Sequence, residues 1–142
     1  MASALFQKRM TVLLVVGGAI VAATFLVGLV FGIGTWESWW ISNFLHLLGG
    51  FYAVFFVREL LNSVKTRHQI LLPRWTELTI LVGGALILGV FWEWFEFALD
   101  RYRVLVAGKP GFITYADNMG YLVIDFMVAV VAVAYLWKKK IK

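Results

Sequence analysis

One imidazole and three carboxylates stand inside otherwise apolar stretches of this chain: His46 in HLLGG, Glu93 and Glu96 in FWEWFEF, and Asp125 in YLVIDF. A carboxylate at membrane depth costs roughly 2.5–3.5 kcal/mol on insertion scales, so it usually faces a partner or performs a task. Imidazole with carboxylate oxygens is a donor set for zinc, manganese or iron. The spacing gathers these groups onto stripes. Glu93, Glu96 and Asp100 follow an i, i+3, i+7 pattern, Asp117, Tyr121 and Asp125 follow i, i+4, i+8, and Asn43, His46 and Gly50 share a third stripe. If the stripes face inward, His46, Glu93, Glu96 and Asp125 form a cation site, with Asn43, Asp100, Asp117 and Tyr121 as its rim or supporting shell.

The same residues admit plainer uses. Polar pairs between transmembrane helices contribute about 0.6–2 kcal/mol each, with Arg101 and Arg103 placed to neutralise Asp100 and Glu96. Proton coupling through Glu93 or Asp125 is a further reading, but nothing on the inner half continues a polar track. Gly49 and Gly50 would make room for a tetrapyrrole on His46, yet nearby carboxylates are poor company for a macrocycle and no second histidine lies at membrane depth. The absence of cysteine excludes disulfides, thiolate ligands and a cysteine nucleophile. No catalytic residue is assigned, and the pattern leans away from an enzyme.

The elements that must position these groups follow from composition. Of 142 residues, 62% are hydrophobic and 15% charged, against about 45–50% and 25% in soluble domains. This predicts one small all-α integral membrane unit spanning 1–142, with four transmembrane helices over about 11–34, 41–61, 77–99 and 118–137. The first run is too long for a secretory leader, and no small-residue cleavage motif follows it. Gly28 and Gly32, in a GxxxG spacing, and Gly49 and Gly50 offer flat surfaces for helix packing. Trp36, Trp39 and Trp40 beside Glu37 suggest a turn at the lipid–water boundary. Between the third and fourth helices, VLVAG and FITYA flank Lys109-Pro110-Gly111, which reads as a short outer hairpin or flap.

Charge sets the orientation. All but three of the thirteen basic residues fall in the head, the second connection and the tail; the exceptions are Arg101, Arg103 and Lys109. Both termini should then face the cytoplasm of a bacterial inner membrane. No basic face exists away from the lipid flanks, so the net charge of +5 does not point to nucleic acid. Counted from the outer ends of their helices at 1.5 Å per residue, His46, Glu93 and Asp125 lie about 8, 10 and 12 Å deep, at one level.

HLLGG, FWEWFEF and ADNMGYLVID together resemble the YjdF-type family of small bacterial inner-membrane proteins, and more distantly VanZ-like proteins. The likeness runs from the second helix onward and carries over to His46, Gly49, Gly50, Trp92, Glu93, Glu96, Asp117 and Asp125. This chain departs from the pattern at Tyr121, where a further aspartate is common, and at Val128, where a glycine is expected. The resemblance implies a multi-pass membrane protein without naming an activity. Two readings are therefore carried forward: a divalent-cation pocket in the outer leaflet, or a non-catalytic accessory subunit of a larger membrane complex. The partners are then the bilayer and, by the second reading, other membrane proteins or further copies of the chain.

Overall fold

The computed structural model describes residues 2–30, 36–108 and 115–140. Among them the chain forms four helices and no strand: α1 (Ala2–Val30), α2 (Trp36–His68), α3 (Arg74–Ala107) and α4 (Tyr115–Lys140). Each is long and apolar enough to cross a membrane.

The helices outrun the apolar segments that define the expected spans. α2 and α3 contain 33 and 34 residues, about 50 Å at 1.5 Å per residue, whereas a hydrocarbon core is about 30 Å thick. Polarity does not end a helix; a backbone stop does. α2 continues through RELLNSVKTRH to Gln69, which adopts a left-handed φ of 53°. The Ile70 N–H then donates to the Lys65 carbonyl at 3.1 Å, the six-to-one bond of a Schellman cap. Pro73 follows, and its carbonyl accepts the first bond of α3 from the Glu77 N–H.

α3 likewise continues through DRYRVLVA, which contains neither proline nor glycine, and stops at Gly108 with φ 59°, the left-handed position where glycine carries no Cβ penalty. The expected hairpin is thus corrected over Asp100 to Ala107, which is helix; residues 109–114, with Lys109-Pro110-Gly111, lie outside the described residues. At the other end, Trp36 to Trp40 form the first turns of α2 rather than a separate turn.

Three helices share the core. α2, α3 and α4 pack on one another, while α1 packs on α2 alone among the described residues, and none of its apolar span is buried. The central layer is small and aliphatic: Ala53 and Val54 of α2, Leu81 and Ala85 of α3, Ala129, Ala132 and Val133 of α4. Small side chains let backbones approach, and close packing holds such helices where lipid removes the hydrophobic drive.

Glycines extend that logic at particular contacts. A Cβ on Gly84 would lie 2.8 Å from Val57 Cγ1, and one on Gly50 would lie 3.1 Å from Val128 Cγ1. A Cβ on Gly49 would meet nothing within 4 Å, because its neighbour Gly50 already occupies the packed side and successive helical positions diverge by 100°. Gly28 is helical but the surroundings of its Cα, like all of Gly32, lie outside the described residues.

Ion pairs tie the ends of the helices together. Arg9 Nη1 lies 3.3 Å from Glu59 Oε1, joining α1 to α2, and Lys65 pairs with Glu77 across the α2–α3 connection.

Candidate metal centre

The buried polar residues of the described chain are His46, Glu93, Asp100 and Asp125. They come from all three core helices. α2 brings His46 into the core because Gly50, one turn later, lets the backbone approach α4 at Val128 and Asp125. α3 brings Glu93 and Glu96, three residues apart and so on one face. α4 brings Asp125, whose Oδ2 would stand 2.6 Å from a Cβ on Gly89. Only a glycine at 89 leaves the carboxyl this place. Gly89, Glu93, Glu96 and Asp100 form one continuous stripe, so the signal for Gly89 was present in the helical spacing.

His46 is the hub. Its side chain is 2% exposed, and its Nε2 lies 3.6 Å from Glu93 Oε1 and 3.6 Å from Glu96 Oε2. Nδ1, on the other edge of the ring, lies 3.8 Å from Asp125 Oδ1. Tyr121 stacks flat on the imidazole, with centroids 4.0 Å apart and planes 3° from parallel. Tyr121 therefore lies against the ring as a lid.

The two edges of the ring do different things. One ligand atom from each of His46, Glu93 and Glu96 falls within 4.8 Å of the others, a group that could hold a metal ion. Asp125 faces the opposite nitrogen, so it cannot share an ion with Nε2. Of the four residues expected as ligands, His46, Glu93 and Glu96 fall in that group, and Asp125 lies beside the other ring nitrogen. In carboxylate–histidine–metal arrangements the carboxylate accepts the other ring N–H; at 3.8 Å Asp125 stands beyond hydrogen-bond reach and acts on Nδ1 through its charge.

The distances are long for direct hydrogen bonding and leave room for a cation. His46 Nε2 has no hydrogen-bond partner, and 3.6 Å exceeds the 2.7–3.2 Å of an N–H···O bond. Nitrogen and oxygen ligands about 2.0–2.2 Å from a tetrahedral ion stand roughly 3.3–3.6 Å apart. Charge points the same way. Three carboxyl groups surround one imidazole, an acidic setting compatible with a bound cation. Buried charge without compensation is costly, and a divalent cation offsets two.

The remaining predicted residues take other places. Asp100 is buried two turns further along α3, with Arg101 Nη2 4.0 Å from its Oδ2; Arg101 also sits 5.2 Å over the Phe97 ring. Glu96 turns to His46 rather than to an arginine. Asn43 donates from Nδ2 to the Trp39 carbonyl of its own helix at 2.8 Å and is not brought to the ligands. The side chains of Asp117 and Arg103 lie outside the described residues. Trp92 is half-buried beside Phe95, their centroids 5.7 Å apart. A tetrapyrrole on Nε2 would have to displace both glutamates from that edge of the ring.

No protein family, curated protein or solved structure matches the chain.

Proposed function

We propose that this is a multi-pass protein of the bacterial inner membrane, with both termini in the cytoplasm, that binds one divalent cation in its outer leaflet on His46, Glu93 and Glu96. The observation that carries the reading is the buried Nε2 of His46, equidistant from two glutamate oxygens at a separation too wide for hydrogen bonds and suited to a shared ion. Imidazole with two carboxylates suits zinc, manganese or iron. Three protein ligands leave a position open, as in sites where the ion engages a further ligand. Glu96, the most exposed of the three at 15%, marks the side from which that ligand would enter.

Metal analysis of the purified protein tests it. Wild type should carry about one equivalent of a transition metal, and Glu93→Gln should lose it. A metal-free wild type that copurifies in a defined complex would replace this reading with the accessory-subunit one.

A further inference from the structure

A second polar feature lies at the far end of the bundle from His46. The C-terminal part of α2, the first turns of α3 and the last turns of α4 enclose a half-open groove of about 80 Å³. Its rim holds Arg58 and Arg74, and its floor holds Leu78, Leu81, Val133 and Leu136. Among the described residues no carboxylate lines it. The two nearest acids in sequence are engaged elsewhere: Glu59 pairs with Arg9, and Glu77 pairs with Lys65. Neither Arg58 nor Arg74 has an acidic partner among the described residues. Two guanidinium groups thus stand over an aliphatic trough with their charge unanswered.

We infer that this groove seats an anionic phospholipid, its phosphate held by Arg58 and Arg74 and one acyl chain lying along Leu78, Leu81 and Leu136. Guanidinium offers paired donors that match phosphate oxygens, and basic pockets between transmembrane helices on the cytoplasmic side take such headgroups. The aliphatic floor gives a soluble anion nothing to bind, whereas a lipid uses both halves of the groove. Trp137, also at the groove, is an amphipathic ring of the kind that sits at headgroup level. The inference rests on the membrane placement proposed above and is independent of the metal.

The test uses the full chain in nanodiscs of phosphatidylcholine doped with phosphatidylglycerol, with lipids retained on the protein counted by native mass spectrometry. Wild type should retain phosphatidylglycerol in preference to phosphatidylcholine by about tenfold or more. R58Q/R74Q should lose the preference, and R58K/R74K, which keeps the charge, should hold part of it. Equal retention of the two lipids by wild type, or a preference unchanged in R58Q/R74Q, overturns the proposal. So does displacement of the lipid by millimolar inorganic phosphate, which would mark a soluble-anion site. A chain that fails to enter nanodiscs at all refutes the membrane placement instead.

Discussion

Nδ1 of His46 lies 3.8 Å from Oδ1 of Asp125, on the opposite edge of the ring from the Nε2 that faces Glu93 and Glu96. A carboxylate on that side favours the tautomer with its proton on Nδ1 and its lone pair on Nε2. Asp125→Asn should therefore keep metal stoichiometry while weakening affinity about 10–100-fold, the usual effect of removing such an orienting group. Glu93→Gln, which removes a ligand, should abolish stoichiometric binding. Competition against a chromophoric chelator separates the two. Equal affinities for wild type and Asp125→Asn would dismiss the orienting role.

Gly89 makes a second, steric prediction about the same aspartate. A methyl there would fall 2.6 Å from Asp125 Oδ2, so the carboxyl must move away from α3. Gly89→Ala should lower the thermal denaturation midpoint in detergent, at a cost of about 1–3 kcal/mol for overpacking, and should weaken metal binding as Asp125→Asn does. Gly83→Ala is the control. A Cβ there meets nothing within 4 Å, and alanine in a helix gains about 0.5–1 kcal/mol over glycine. A Gly89→Ala protein as stable as Gly83→Ala would contradict the close approach.

Much of this architecture was legible in the chain because long apolar runs and helical spacing follow simple arithmetic. Runs of apolar residues located four helices, and helical spacing put Glu93, Glu96 and Asp100 on one stripe. Counting from the helix ends brought His46, Glu93 and Asp125 to one level, and the structure gathers these side chains. The lengths of α2 and α3 were not legible from hydropathy. Hydropathy marks the apolar segment, while the helix itself runs on to a backbone stop at Gln69 or Gly108. Nor does spacing reveal ring orientation. Which nitrogen of His46 faces α3 and which faces α4 depends on side-chain rotation, and that decides which carboxylates could share an ion with the ring. Arg58 and Arg74 were read only as topology signals, since the engagement of Glu59 and Glu77 by other cations is a tertiary fact.

Gly50 and Val128 should behave as one unit. The Cβ that Gly50 lacks would stand 3.1 Å from Val128 Cγ1 and 3.6 Å from the Asp125 Cα, so α2 and α4 meet here with no spare room beside His46. Gly50→Ala should destabilise the wild-type background and cost less in Val128→Ala, where the obstructing methyl groups are gone. A double-mutant cycle by thermal or denaturant unfolding should give a coupling within the 0.5–3 kcal/mol seen for contacting residues. Additive effects would show that the helices do not touch at this pair.

Lys65 and Glu77 pair across the α2–α3 connection with side chains 21% and 17% exposed. A pair that water and salt still reach is worth about 0–1 kcal/mol, and the turn has its own backbone closure at Gln69 and Ile70. Glu77→Gln should therefore shift stability by less than about 1 kcal/mol, and the shift should shrink in high salt. A larger, salt-independent loss would mean that the pair, rather than the Schellman cap, fixes the angle between α2 and α3.

The chain has no cysteine, so single cysteines report topology without background. Lys8→Cys and Lys138→Cys should be shielded from a membrane-impermeant maleimide in intact spheroplasts and react after permeabilisation, whereas Arg101→Cys should react at once. The expectation follows from the distribution of lysine and arginine, because cytoplasmic flanks retain basic residues during insertion. It also fixes the leaflet of both sites. His46 and Glu93 lie toward the end of the bundle that carries Arg101, while Arg58 and Arg74 lie toward the end that carries Lys138. The reverse labelling pattern would move the cation pocket to the cytoplasmic leaflet and the arginine groove to the outer one, leaving the ligand geometry intact but reversing the side from which each ligand arrives.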